Sequence, residues 1–235
     1  MAKWELILNH IAEWEGDSSA DPRDKCAKYP SDVIDTKKFK GKPFHTNKGV
    51  CYSTWVSASK VLGFDPSGRA FMAMTTEQWR KIIKLLFWDS MQLDRLNSQN
   101  IAELMLEVRW MSGAGAKGKE FFSELQRLIG LKGKDVDGYV GKNTIDTLNK
   151  HISVKGNEST LYKKLWDFRY KQLDELGKKS EYSWARDGWL NRMKSLFTRS
   201  TQFVMDNPKT FGILGLLVLS GVAYGVYRYV SVKYA

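Results

Sequence analysis

The chain has 235 residues, 43% of them hydrophobic, with nine Trp and only five Pro. That is enough length and apolar content for one or two packed domains, which excludes an intrinsically disordered or low-complexity chain. The formal charge of +11 at pH 7 favours anionic partners, but Lys and Arg are scattered through amphipathic stretches without an Arg-rich arm, zinc finger or other nucleic-acid module. Nucleic acid is therefore not an expected partner; an acidic cell-wall polymer, a membrane surface or a plainly solvated basic face remain.

The first predicted element is a helix over residues 3–15. Trp4, Leu8 and Ile11 fall at helical spacing, with Ile7 and Ala12 widening the stripe. Four residues after Ile11 comes Glu15, on the line of the apolar face, and Gly16 follows as a left-handed helix stop. A carboxyl group so placed is expected to be part-buried against Trp and Ile. Poor solvation disfavours its charged form, as a general acid working near neutral pH requires. The plainer reading is a Glu that snorkels at a fraying helix end.

Residues 16–52 read as loop-rich with a short hairpin. They carry the polar run Asp21-Pro22-Arg23-Asp24 and, just before the next helix, His45-Thr46-Asn47-Lys48-Gly49-Val50. Tyr29, Phe39 and Phe44 argue for some packing between them. Cys26 and Cys51 flank this segment, and two readings stay open: a disulfide, which fits an oxidising compartment, or two partly buried free thiols. A metal site built from His45 and the cysteines is not expected, because no short ligand pair is present. No metal and no cofactor is predicted, and the N-terminus carries no signal-peptide pattern.

Further along, a helix starts at Tyr52 and stops at Gly63, and Asp65-Pro66-Ser67-Gly68 is a turn. Thr75 with Gln78 spells a capping box for a helix to about Met91, with Trp79, Ile82, Ile83 and Leu86 as its buried stripe and Trp88 as a core residue. Ser98 caps the next helix, whose Ile101, Leu104, Met105 and Val108 face inward and which ends at Ser112-Gly113. Phe121, Phe122, Leu125, Leu128 and Ile129 mark another, closed by Gly130. Asp135-Val136-Asp137-Gly138-Tyr139-Val140-Gly141 is a turn leading into a helix from Asn143 to Ile152; it lacks the ligand spacing of an EF-hand. Helices over 158–176 and 184–197 complete this part. After Asp206-Asn207-Pro208, the run from Phe211 to Tyr227 has no charge. Residues 211–230 have about the length that spans a bilayer, with Tyr224, Tyr227 and Tyr229 toward one end. Gly221 and Gly225 have the small-xxx-small spacing of helices that self-associate. A buried helix of a soluble domain is the alternative for this segment.

Glu15-Gly16, Asp21-Pro22-x-Asp24 and Thr46-Asn47-Lys48-Gly49-Val50, in that order, resemble the opening pattern of the phage-type N-acetylmuramidases of glycoside hydrolase family 108. Gly188-Trp189-Leu190-Asn191-Arg192 resembles that family's closing Gly-Trp-x-x-Arg. The chain departs from the pattern at Asp17, at Cys26-Ala27 and in an insertion before His45. Where the family commonly has Asp and then Asn-Ser-Gly, this chain has Glu107 and Met111-Ser112-Gly113; Glu107 is expected either to line a cleft or to sit on the surface. The turn with Asp137, Gly138, Gly141 and Thr144 resembles the Asp-Gly-x-x-Gly-x-x-Thr signature of peptidoglycan-binding helical modules, against the plainer reading of a helix-connecting turn.

The resemblance implies a mainly α, lysozyme-like α+β fold in a helical globule, to which the uncharged run at 211–230 adds a C-terminal transmembrane helix. Residues 1–113 are the catalytic part, 114–197 a peptidoglycan-binding part, 198–210 a linker and 211–230 the anchor. Cutting a glycosidic bond takes an acid for the leaving oxygen and a base or nucleophile across the sugar ring. The resemblance makes Glu15 the acid, Asp24 the second carboxylate and Thr46 the group that orients the attacking water; Asp21 is the rival to Asp24. The implied function is hydrolysis of the β-1,4 bond between N-acetylmuramic acid and N-acetylglucosamine by a membrane-anchored bacteriophage lysis or entry enzyme. Its implied partners are peptidoglycan and a lipid bilayer, and its place is a virion membrane or a host inner membrane facing the periplasm. The rivals are a lytic transglycosylase using Glu15 alone and a non-catalytic wall-binding tether.

Overall fold

A computed structural model describes residues 1–16, 18, 19, 21, 23, 26, 45–113 and 115–206. The expected anchor at 211–230, with Gly221 and Gly225, lies outside these residues, as do Asp24 and the packing expected of Tyr29, Phe39 and Phe44. Among the described residues no helix is long and apolar enough to cross a membrane. The chain is mainly helical and divides into two compact units, Trp4–Met91 and Gln92 onward with Met1–Lys3.

In the first unit, helix α1 (Glu5–Trp14) buries Ile7, Leu8, His10 and Ile11. Its apolar stripe is narrower than expected, because Trp4 sits half-buried at the N-cap and Ala12 is exposed. Strands β1 (Ser18–Ser19), β2 (Thr46–Asn47) and β3 (Val50–Cys51) form an antiparallel sheet in that order. The β2–β3 hairpin turns on Lys48 (φ 47°) and Gly49 (φ 75°). Positive φ at both central positions defines the type I′ turn, which matches strand twist and favours Gly. This gives the Thr46-Asn47-Lys48-Gly49-Val50 motif its physical content. The Asn47 amide donates to the Phe71 carbonyl (2.7 Å), Trp79 Nε1 donates to the Lys48 carbonyl (2.9 Å), and Val50 is buried.

Helix α2 (Tyr52–Leu62) ends at Gly63, left-handed as expected, whose N–H returns to the Ser59 carbonyl. The Asp65 turn leads into a short helix, α3 (Gly68–Met72), capped by Ser67. The Trp55 ring stacks on Phe64 and tilts against Phe71, burying all of Trp55. The Thr75–Gln78 capping box starts α4 (Thr76–Ile83). Regular α geometry stops at Ile83. A π-helical turn over Lys84–Trp88 and a 3₁₀ turn over Asp89–Met91 carry the helix on, with Leu86 half-buried and Trp88 fully buried.

The second unit is built on helix α5 (Gln99–Ser112), capped by Ser98 and buried on every face from Gln99 to Val108. Helices α6 (Ala116–Leu128) and α8 (Asn157–Gly177) pack against it, α9 (Arg186–Asp206) joins it through ion pairs, and α7 (Lys142–Ile152) packs on α8. A buried helix cannot leave carboxylates unpaired. Glu107, expected to line a cleft or face solvent, does neither: it is fully buried and forms an ion pair with Arg192. One turn earlier, Glu103 pairs with Arg199 at 3.1 Å and accepts from Gln99. The closing motif's Arg192 is therefore a core ion-pair partner.

Helix α9 runs nine residues past the expected end at 197, to Asp206, so residues 198–206 are not linker. Ser200 is buried and accepts from the Tyr162 hydroxyl (2.8 Å). The Gln99 amide clasps the N-terminal segment, accepting from the Lys3 N–H and donating to the Lys3 carbonyl.

Candidate active site

Helix α1 ends on Trp14, one residue before Glu15. Glu15 itself is extended (φ −96°, ψ 124°) and half-buried, and Gly16 does not take the expected left-handed form. Glu15 therefore stands at the junction of helix and sheet rather than on the helical stripe.

Asp21 lies two residues past β1, and its N–H donates to Ser19 Oγ (3.1 Å). The Arg23 guanidinium grips its carboxylate with both Nε and Nη2, and the Arg23 N–H adds a fourth contact. These hydrogen bonds, the Arg23 side chain's foremost, lower the Asp21 carboxyl from 3.8 to about 2. Asp21 is thus a turn-forming residue engaged with its own loop, the plainer of its two readings.

Thr46 is opposite Ser19 on one side and Cys51 on the other. Its Oγ1 lies 2.7 Å from Nδ1 of His45, a residue 2% exposed. The other ring nitrogen, Nε2, lies 3.2 Å from the Asp21 carbonyl oxygen. His45 thus joins the Asp21 loop to Thr46, a role the sequence signals only by placing His directly before the motif's Thr. Cys26 and Cys51 form a disulfide, with Cα atoms 5.5 Å apart. Of the two readings of the cysteines the structure takes the bridge, and it ties the Asp21–Cys26 loop to the strand beside Thr46. Both sulfurs are used by that bond, so neither can act as a thiolate ligand with His45. Asp21, His45 and Thr46 are joined by hydrogen bonds, and Glu15 leads into the same small sheet.

In the second unit Asp137, Gly138 and Thr144 are brought together around Gln126 of α6. The Gln126 amide donates to Asp137 Oδ1 (2.9 Å) and Thr144 Oγ1 (3.3 Å), and its carbonyl accepts from the Gly138 N–H (2.8 Å). Those bonds, Gln126's first and then the Tyr139 N–H, hold the Asp137 carboxyl below its ordinary range. Gly138 has φ +73°, and a Cβ there would lie 2.7 Å from the Lys119 carbonyl oxygen. Gly141 is the N-cap residue of α7. These polar groups hold the turn together, which accounts for the motif as a structural device. Facing solvent are Tyr139, 58% exposed, and the Lys119 ammonium 4.2 Å above its ring.

Residues 8–113 match the glycosyl hydrolase 108 family. That match includes Glu15, Asp21, Asp24 and Thr46, and it supports glycosidase activity on peptidoglycan. Over 85% of its length the chain is similar to a solved structure described as "Structure of Brucella abortus SagA". That similarity covers 94% of the Brucella chain at a TM-score of 0.57 and 19% identity, a likeness of fold that extends well beyond residue 113. No curated protein sequence matches the chain.

Proposed function

We propose that the protein hydrolyses the β-1,4 bond between N-acetylmuramic acid and N-acetylglucosamine in peptidoglycan. The observation that carries this reading is the position of Glu15: half-buried, where α1 passes into the sheet that bears Thr46, inside the glycosyl hydrolase 108 stretch. Glu15 donates its proton to the leaving oxygen, Asp24 accepts a proton from water, and Thr46 holds that water. Asp21 is a poor base for this step, because Arg23 already occupies its carboxylate. The turn at Asp137, Gly138, Gly141 and Thr144 presents Tyr139 and Lys119 to the wall polymer. Residues 211–230 anchor the chain in a bilayer, with Gly221 and Gly225 as a site of self-association. A phage lysis or entry enzyme fits an anchored wall hydrolase.

Dye release from labelled peptidoglycan by Glu15→Gln, Asp24→Asn and Asp21→Asn tests the assignment. General acid catalysis contributes about a hundred- to ten-thousand-fold, so Glu15→Gln should lose at least that much while keeping its circular dichroism spectrum. Asp24→Asn should lose activity through loss of the base, and Asp21→Asn much less. A folded Glu15→Gln protein with undiminished activity would remove Glu15 from this role.

A further inference from the structure

We propose that Arg109, Lys119 and Tyr139 form a carboxylate-binding site that takes the stem peptide of the wall polymer. This rests on the reading above, in which the Asp137 turn faces that polymer. The three residues come together where α5 ends, α6 begins and the turn packs on α6. Arg109 stands half-buried on the last turn of α5, and its carbonyl accepts from the Gly113 N–H (2.8 Å). Gly118 of α6 packs so near that a Cβ there would lie 2.8 Å from the Gly113 carbonyl oxygen. One residue on, the Lys119 backbone is the surface against which Gly138 is pressed. Tyr139 follows, with the Lys119 ammonium 4.2 Å above its ring. Tyr139 in turn acts electrostatically on the Arg109 guanidinium.

Of the three, Arg109 calls for a ligand. The other arginines that reach α5 from α9 have acid partners there, Arg192 with Glu107 and Arg199 with Glu103. Among the described residues no carboxylate pairs with Arg109, and burial pushes its guanidinium below its ordinary range. A partly desolvated cation without a counter-ion is costly, and an incoming anion removes that cost. The acid of the turn, Asp137, does not serve: its carboxylate is held by Gln126 and the Tyr139 N–H. The planar fork of a guanidinium matches the two oxygens of a carboxylate. Tyr139, 58% exposed, sets a hydroxyl beside it, and Lys119 adds a second positive charge. In peptidoglycan the lactyl carboxyl of N-acetylmuramic acid is used in the amide bond to the peptide, so the sugar rings carry no free carboxylate. The free carboxylates belong to the stem peptides, and an unpaired arginine therefore reads the peptide rather than the glycan.

The test is calorimetric titration of the full-length protein in detergent micelles with three probes. They are the synthetic tripeptide L-Ala-γ-D-Glu-diaminopimelate, the same peptide with its carboxyls amidated, and the disaccharide N-acetylglucosaminyl-N-acetylmuramic acid. The disaccharide has a free lactyl carboxylate and lacks the bond that the enzyme is proposed to cut. Arg109→Gln should weaken tripeptide binding about tenfold, the worth of one charge-assisted hydrogen bond. Arg109→Lys, which keeps the charge and loses the fork, should recover only part of this. The amidated peptide should bind wild type at least tenfold more weakly than the tripeptide, and Arg109→Gln should leave the affinity for the disaccharide unchanged. Equal affinity of wild type for the two peptides, or undiminished tripeptide binding by Arg109→Gln, would overturn the site. A loss on the disaccharide instead would make the lactyl group the ligand and overturn the assignment to the stem peptide. A measurement that needs no variant is ¹⁵N NMR of the wild-type Arg109 Nε: a shift on adding the tripeptide supports the site, and an unmoved signal with the peptide bound overturns it. Digestion of the wall by a protein that does not bind the tripeptide would end this inference and leave the hydrolase reading. Tripeptide binding through Arg109 beside an undigested wall would support the site and end the hydrolase reading.

Discussion

Asp21 and Asp24 are three positions apart in the sequence, and Asp21 has the Arg23 guanidinium against its carboxylate. Its contacts with Arg23 stabilise the charged form so far that the carboxylate is a weak proton acceptor. Arg23→Gln should therefore return the Asp21 carboxyl from about 2 toward 3.8, as read by ¹³C NMR titration. Because the folded-state value is depressed, the stability that Asp21 contributes is present above 3.8 and is lost as pH falls from there through 2. Arg23→Gln should flatten the acid limb of the unfolding curve in that interval; an unchanged limb would mean that the contact is idle in solution. Glu15 lies past the helix end at Trp14, so the helical spacing of Leu8 and Ile11 does not extend to it. Glu15 is extended and lies between that helix end and β1, which starts at Ser18. Strand pairing with residues nearly thirty positions away leaves no mark in local periodicity.

The helices were legible where the signal is local. The capping box at Thr75, the Ser98 cap, the stop at Gly63 and the stripes of α4 and α5 depend on neighbours three or four residues apart. Glu107 was not, because its partner Arg192 lies 85 positions on and a lone Glu in a helix reads as surface. The same reason hid the last turns of α9: Arg199 and Ser200 look like linker until Glu103 and Tyr162 are packed against them. Arg192→Met would leave the Glu107 carboxylate buried without its partner and should cost about 3–5 kcal/mol of stability. Adding Glu107→Gln should recover a large part of that in chemical denaturation. A single-variant loss below about 1 kcal/mol would show that the pair is hydrated in solution. At the Asp137 turn the dihedral and the space both demand glycine, so Gly138→Ala should destabilise by about 1–3 kcal/mol, read in the same way.

At the scale of the whole molecule stand the Cys26–Cys51 bridge, the stretch 8–113 and the apolar segment at 211–230. The bridge closes a loop with a sequence separation of 25 and should stabilise by roughly 3–4 kcal/mol. Intact mass of the unreduced protein should match the bridged form, and reduction should lower the midpoint of thermal unfolding; two freely alkylated thiols in unreduced protein would contradict the bridge. The apolar run at 211–230 is read from hydropathy alone, the one membrane signal that needs no tertiary partner. A chain ending at Asp206, which keeps all of α9, should stay in aqueous solution while the full chain partitions into lipid vesicles. Solubility of the full chain without lipid or detergent would count against the anchor. The central claim concerns which bond is cut and how, and mass spectrometry of peptidoglycan digested by the full-length protein tests it most directly. The account predicts fragments ending in reducing N-acetylmuramic acid; fragments ending in anhydro-muramic acid, fragments ending in reducing N-acetylglucosamine, or an undigested wall would contradict it.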